Sequence, residues 1–180
     1  IVAPDDVVST AADICSVTHI DPRCIAGCII YTLILNRLVY STPTSALDID
    51  SLLMDSIGTA RKYLRATQPS HAQSHDEELA NWLHCAYTKP LSALHLHKFI
   101  QSNYVFRTLS CAVYSLRIIR AALAQGATPD FKKVAKYIAR EGGDASANCA
   151  VAGAVMGAYL GYHGLPPDWR LDSGDNSSIN

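Results

Sequence analysis

The stretch Gly142-Gly143-Asp144-Ala145-Ser146 places a carboxylate and a hydroxyl two residues apart, directly before a helix made mostly of alanine and glycine. Because the side chains of that helix are too small to suit an exposed surface, we expect Asp144 to face the interior or a cleft. A carboxylate buried without a hydrogen-bonding partner or a metal ion is costly. The stretch therefore predicts an acidic group with a dedicated partner at the start of the last long helix.

A second polar stretch, Thr18-His19-Ile20-Asp21-Pro22, separates two helical patterns near the start of the chain. Asp21 is placed to accept hydrogen bonds from the first turn of the second helix, and Pro22 suits the first helical position. This reading makes Asp21 an N-cap rather than a ligand.

Cysteines and histidines raise the question of a metal site. Cys24 and Cys28 lie four residues apart on one helix face and could form half a site, but no Cys/His pair at zinc spacing accompanies them. His95 and His97 are expected on different sides of a helix, as surface residues. Buried free thiols are the favoured interpretation of the six cysteines, and they indicate a reducing compartment, which we take to be the cytoplasm.

Composition limits the remaining functional classes. The 180 residues suggest one domain, which we place at residues 1–170, with 171–180 as a tail. With 15 basic and 16 acidic residues, the chain offers no electrostatic case for binding nucleic acid or an anionic membrane. No signal-peptide pattern is present, and the apolar run "CIAGCIIYTLIL" is shorter than the roughly 20 residues that span a bilayer.

Apolar periodicity predicts an all-α protein, with no strand pattern above background. Helices are expected over "PDDVVSTAADICSV", "DPRCIAGCIIYTLILNRLVY", "TSALDIDSLLMDSIGTARKYLRA", "EELANWLHCAYT", "NYVFRTLSCAVYSLRIIRAALAQG" and "TPDFKKVAKYIAREGG". The segment "TQPSHAQSHD" is predicted to be a polar loop, and Thr128 is predicted to cap the sixth helix. Gly126 is expected to end the fifth helix.

The last helix, predicted at about 145–161, carries Gly153, Gly157 and Gly161 on one face. Each interior glycine costs a helix about 1 kcal/mol relative to alanine. A face without side chains allows close approach by another helix. We therefore expect this helix near the centre of the bundle, crossed tightly by its neighbours.

Three features together resemble the ADP-ribosylglycohydrolase family. Its signature Gly-Gly-Asp-x-Asp-Thr-Asn, followed by a small-residue helix, corresponds here to the seven residues 142–148 and the glycines after them. Its Thr-His-x-Asp-Pro motif stands at residues 18–22, and "NYVFRTLSCAVYSL" is similar to the family helix that enters the ligand cleft. The resemblance covers most of residues 5–169, and implies an orthogonal helical bundle.

The resemblance also implies a chemistry, which is hydrolysis of the N- or O-glycosidic bond at the ribose C1″ of ADP-ribosylated substrates. In the family, a pair of Mg²⁺ ions orients the ribose hydroxyls and a carboxylate activates water. Carried over residue by residue, the ADP-ribose-like ligand would meet Thr18, His19, Tyr104 and Asn148, and its metal would meet Asp144 and Ser146. For His19, a hydrogen bond at the helix junction is an equally weighted alternative, and for Tyr104 the alternative is a place in the core. No catalytic residue is assigned.

Two departures from the family pattern set the expectations for activity. The second Asp of the metal motif is Ser146 and the Thr is Ala147, so we expect Mg²⁺ to bind weakly or not at all. The family's Gly-Asp-x-x-Gly and Thr-Asp-Asp-Thr motifs are missing, so the chain corresponds to the family's C-terminal half. A complementary half-domain, a second chain or a homodimer is therefore expected as a partner. The alternative is a catalytically inactive relative that binds ligand or is structural.

Overall fold

A computed structural model describes residues 4–40, 47–67, 69–70, 72–98 and 104–170 of the chain. The predicted tail, 171–180, lies outside the described residues. Within them helices are the only regular secondary structure, so the all-α class is confirmed. The helices are α1 (Pro4–Ser16), α2 (Pro22–Tyr40), α3 (Ile49–Thr67), α4 (Ala72–Thr88), α5 (Val105–Ala124), α6 (Phe131–Arg140) and α7 (Ala145–Gly164). Two 3₁₀ turns lie at Leu91–Leu94 and Pro167–Trp169.

Helix ends follow their capping residues, and the starts of α4 and α6 differ from prediction. Helix α4 begins at Ala72, inside the predicted loop, because Asp76 in its first turns pairs with Arg61 and Arg65 of α3. The cap of α6 is Asp130 rather than Thr128, because the Asp130 carboxylate accepts a hydrogen bond from the Lys133 amide at 2.9 Å.

The prediction that His95 and His97 lie on a helix is wrong. His95 follows the 3₁₀ turn with a left-handed φ of 49°, and its ring meets that of His97 edge-on at 6.1 Å. The predicted end of α5 is confirmed by Gly126, whose φ is +64° and which directly follows the helix C-cap.

Helices α2 and α5 form the centre of the fold. Helix α2 contacts α1, α3, α4, α5 and α7, and α5 buries most of one long face against α4 and α7. By length and composition α2 could cross a membrane, and it is the one helix of the described residues that could. Its side chains Ile29, Ile30 and Ile34 are fully buried against neighbouring helices. The core helix of a globular protein meets the same criteria of length and composition, and α2 packs against its neighbours as a core helix does.

The prediction that glycines of α7 are tightly crossed by a neighbour is wrong. Among the described residues, a Cβ on Gly157 or Gly161 would meet no atom within 4 Å, and one on Gly153 would touch only the Phe131 ring at 3.6 Å. The helix packs through the opposite face, and its side chains Asn148, Ala152, Val155 and Met156 are buried there. The small-residue face, which includes exposed Ala150 and Ala154, stays open in the described chain.

The Gly142-Gly143 turn is required by a close backbone approach. Both residues have left-handed φ, at +73° and +67°. A Cβ on Gly143 would lie 1.9 Å from the carbonyl oxygen of Leu96, and one on Gly142 would lie 3.8 Å from the Cβ of His97. The turn therefore fixes the start of α7 against the segment that follows the first 3₁₀ turn.

At its other end α7 breaks at Gly161, whose φ of 65° and ψ of 174° are not helical. The chain then returns to α6, where Asp168 accepts hydrogen bonds from the Lys132 ammonium at 2.5 Å. The Trp169 ring meets the Phe131 ring edge-on at 5.8 Å. Helices α6 and α7 are thus neighbours both in sequence and in space. The same holds for α1 with α2 and for α4 with α5.

Candidate ligand-binding groove

A groove of about 900 Å³ runs along α2 between α1 and the start of α5. Its floor is a stripe of α2 residues at four-residue spacing, Cys24, Cys28, Thr32 and Asn36, which extends over about 18 Å of helix. The other lining residues are Asp6, Val7, Thr10, Ala11, Ile14, Cys15, Thr18, His19, Asp21, Arg23, Tyr104, Val105 and Thr108. A largely apolar cavity with a few convergent polar groups is the usual form of a small-molecule site.

Thr18 and His19 lie at one end of this groove, as the predicted ligand-binding role requires. The His19 amide donates to the Cys15 carbonyl at 2.8 Å and so continues the end of α1. The Nδ1 atom of His19 lies 2.9 Å from the Thr18 hydroxyl, so the helix-junction hydrogen bond exists. Both side chains are exposed, and Nε2 of His19 has no partner among the described residues. One ring nitrogen is therefore engaged in the junction and the other is open to a ligand.

Beside them, Asp21 and Arg23 form a fixed ion pair. The Asp21 carboxylate accepts from the Arg23 amide at 2.9 Å, which confirms the predicted N-cap. It also accepts from Nε of Arg23 at 3.0 Å and from Nη2 at 2.6 Å. The hydrogen bond from the Arg23 side chain is the main reason that the pKa of Asp21 falls to about 2. Asp21 is therefore ionised and committed to Arg23 at neutral pH.

Tyr104 reaches the same end of the groove from the start of α5. Its hydroxyl donates to Glu78 Oε1 at 2.6 Å, and the Arg23 guanidinium lies 5.8 Å from the ring centroid. Trp82 and Phe106 contact the ring at centroid distances of 6.0 and 5.6 Å. Burial and the Glu78 carboxylate raise the pKa of the Tyr104 phenol. The ring is half-buried and held on several sides, so it can contribute an edge or its hydroxyl oxygen to a ligand more readily than an open stacking face.

Three thiols, those of Cys15, Cys24 and Cys28, contribute to the apolar part of the groove. Burial raises the pKa of Cys28 to about 12 and, to a smaller extent, raises that of Cys24. The thiols of Cys24 and Cys28 therefore stay protonated at neutral pH and act as small apolar groups. All six cysteines of the chain are free, and Cys15 and Cys111 are fully buried.

The two residues predicted to bind metal lie outside the groove. Asp144 is the N-cap of α7, and its Oδ1 accepts from the Ala147 amide at 3.2 Å and from the Ser146 hydroxyl at 2.9 Å. The partners predicted for the Asp144 carboxylate are thus a backbone amide and a hydroxyl of α7. The described residues contain no group of three or more His, Cys, Asp or Glu side chains that could hold a metal ion. The donors around Asp144 therefore do not fit a dinuclear Mg²⁺ site.

Asn148, the fourth predicted ligand-binding residue, faces the core instead of the groove. It is fully buried on the packed face of α7, and within the described chain neither its amide nitrogen nor its carbonyl oxygen has a hydrogen-bond partner. An unpaired buried amide is costly. The structure therefore brings Thr18, His19 and Tyr104 together and places Asn148 elsewhere.

Sequence reasoning missed Arg23 and Glu78. The Arg23 side chain could have been found from its position two residues after a capping aspartate, where a guanidinium can turn back to the carboxylate. Glu78 carries no local signal, because it approaches Arg23 and Tyr104 only when α4 packs near α2 and α5.

Comparison with known proteins identifies the family directly. The family model described as ADP-ribosylglycohydrolase matches residues 1–177, which is nearly the whole chain. No curated protein and no solved structure matches the chain. The helical fold agrees with the family's all-α architecture. The chain belongs to the ADP-ribosylglycohydrolase family.

Proposed function

We propose that this chain binds an ADP-ribose-like ligand in the groove between α1, α2 and α5. The observation that carries the proposal is the convergence of Thr18, His19, Arg23 and Tyr104 at one end of a cavity whose remainder is mainly apolar. Its volume is within the range of about 300–1,000 Å³ that is typical of small-molecule sites. Such a groove offers hydrogen-bond donors for a polar group and an apolar wall for a base or a sugar face.

For hydrolysis, a carboxylate would have to activate water near the ribose C1″. Among the groove residues the carboxylates are Asp6 and Asp21. Asp21 is a poor general base, because its pKa is about 2 and its oxygens are bound to Arg23. Asp6 lies in the first turn of α1, at the opposite end of that helix from Thr18 and His19. Asp144 is engaged in capping α7. We therefore propose that the chain alone binds but does not hydrolyse, and that turnover requires groups supplied by a complementary half-domain.

The open face of α7 supports such a partner. The helix has no Asp, Glu, Lys or Arg from Ala145 to Gly164, although Ala150, Ala154 and Gly161 are exposed. A helix that is apolar on all sides is normally buried on all sides. A complementary half-domain that covers this face would bury the stripe and come close to Asp144. Magnesium binding would then depend on carboxylates from that partner.

The alternative function is that of a catalytically inactive relative that acts as a ligand-binding or structural module. It is favoured by the lack of metal-ligand clusters among the described residues. In either case, the six free thiols suit a reducing compartment such as the cytoplasm.

Calorimetry of the chain with ADP-ribose, with and without Mg²⁺, tests the proposal. We expect saturable ADP-ribose binding that does not depend on Mg²⁺. The substitution Thr32→Leu, in the floor of the groove, should weaken this binding. Thr59→Leu is the matched control, because Thr59 is a partly exposed residue of α3 that does not line the groove. Absence of ADP-ribose binding would refute the proposal. A separate assay with ADP-ribosyl-arginine and ADP-ribosyl-serine tests turnover, and Mg²⁺-dependent cleavage by the chain alone would refute the need for a partner.

A further inference from the structure

The groove contains few charged groups. The lining side chains that carry permanent charge are Asp6, Asp21 and Arg23. An ADP-ribose-like ligand carries two negative charges on its pyrophosphate. If such a ligand occupies the groove, Arg23 is the one permanent cation among the described lining residues that can meet those charges.

Arg23 is held in a defined position before any ligand arrives. Asp21 engages its Nε and Nη2 atoms, which leaves three of the five guanidinium N–H groups. The Tyr104 ring supports the guanidinium plane from one side at 5.8 Å. An arginine fixed in this way loses little further freedom on binding, and its planar fork matches phosphate oxygens.

Glu78 stands beside this arginine without forming a close pair. Its Oε2 lies 3.9 Å from Nη1 of Arg23, which is beyond hydrogen-bonding distance, while its Oε1 accepts the Tyr104 hydroxyl. Asp21 and Glu78 together give the cluster one more negative charge than Arg23 balances. Glu78 would therefore repel an incoming anion and compete with it for Nη1.

We propose that Arg23 is the specificity-determining residue that anchors a phosphate or pyrophosphate group in the groove, and that Glu78 weakens this binding by competing for the guanidinium. This inference rests on the proposed function, since it takes the same groove as the ligand site. It assigns the two charged residues opposite effects on the affinity for one ligand.

Titration calorimetry with inorganic pyrophosphate, ADP-ribose and adenosine tests the assignment on the full chain. Arg23→Gln should weaken pyrophosphate and ADP-ribose binding by at least about tenfold, because hydrogen bonds to charged groups are lost, and should leave adenosine affinity unchanged. Glu78→Gln keeps an acceptor for Tyr104 and should strengthen pyrophosphate binding roughly two- to fivefold, as expected for partly exposed charges.

Arg120→Gln is the matched control, because Arg120 also pairs with a carboxylate, that of Asp50 at 2.7 Å, but does not line the groove. It should leave all three affinities unchanged. A purely structural role for the cluster predicts instead that Glu78→Gln and Arg23→Gln weaken binding together. That result, or wild-type affinity for pyrophosphate in Arg23→Gln, would overturn the proposal.

The outcomes also separate this inference from the proposed function. If the wild-type chain and Arg23→Gln bind ADP-ribose equally, the role of Arg23 is refuted and the groove function stands. If the wild-type chain binds pyrophosphate through Arg23 but does not bind ADP-ribose, the anion site stands and the proposed function is refuted. A wild-type chain that binds neither compound refutes both. Should Arg23→Gln fail to fold, Glu78→Gln alone decides, because only the proposed competition predicts tighter binding.

Discussion

One substitution, glycine to alanine, should have opposite effects at two ends of the same motif. At Gly157 the new methyl group enters open space. Alanine is favoured over glycine inside a helix by about 1 kcal/mol, so Gly157→Ala should raise the unfolding free energy by about that amount. For a chain of this size, the melting temperature should rise by roughly 2–4 °C.

At Gly143 the same methyl group would lie 1.9 Å from the Leu96 carbonyl oxygen and 2.8 Å from its carbonyl carbon. Both atoms belong to the backbone, so the segment itself has to move. The left-handed φ of +67° adds a penalty of about 1–2 kcal/mol for any residue with a Cβ. With overpacking of a further 1–3 kcal/mol or so, Gly143→Ala should destabilise the chain by about 2–5 kcal/mol.

Urea unfolding of the two variants, followed by circular dichroism, measures both effects. Gly58→Ala is the control, because Gly58 is an exposed residue of α3 and a Cβ there would also meet no atom of the described residues within 4 Å. Gly58→Ala and Gly157→Ala should stabilise the chain equally. If Gly157→Ala destabilises while Gly58→Ala stabilises, the face of α7 is covered in solution, and the reasoning from open space fails.

Three further predictions concern single side chains. Asn148→Ala should leave the unfolding free energy unchanged or raise it by about 1 kcal/mol, because the variant no longer buries an unpaired amide. A loss of unfolding free energy above about 2 kcal/mol in urea unfolding would show that the amide has a partner. Asp21→Asn keeps the N-cap but removes the ionised carboxylate. The wild type should therefore have a stabilisation above the unfolded pKa of 3.8 that the variant lacks, and should lose it as pH falls toward 2. Equal acid sensitivity of the two proteins between pH 4.5 and 2.5 would contradict this. Asp168→Asn should leave the melting temperature nearly unchanged, because its pair with Lys132 is exposed and screened by solvent. A clear loss of melting temperature would show that this pair holds the C-terminal turn on α6.

The sequence predicted most helices because their apolar periodicity and capping residues are local signals. It failed on the orientation of α7, because nearly every side chain of that helix is small or apolar and no face stands out. It also failed at the start of α4, where polar residues 72–76 look like a loop. That first turn is helical because Asp76 pairs with arginines of α3, a contact that no local pattern reveals.

For the site, family resemblance named Thr18, His19 and Tyr104, and the groove brings them together. Resemblance alone could not show that Asn148 is buried or that Asp144 is used as a cap, because both depend on how α7 is rotated. The Arg23–Glu78 approach joins residues 55 positions apart, so only the packed structure could supply it.

The packing of sequence neighbours has a consequence for how this protein folds. The pairs α1–α2, α2–α3 and α6–α7 are joined by connections of five, eight and four residues, so the entropy lost in forming them is small and they can form early. The groove, in contrast, is built from α1 and α2 on one side and α5 on the other. It exists only after α5 has docked on the α1–α2 pair. A ligand in the groove would therefore stabilise this docked arrangement, and its binding would report the docking of α5 rather than the formation of any single helix.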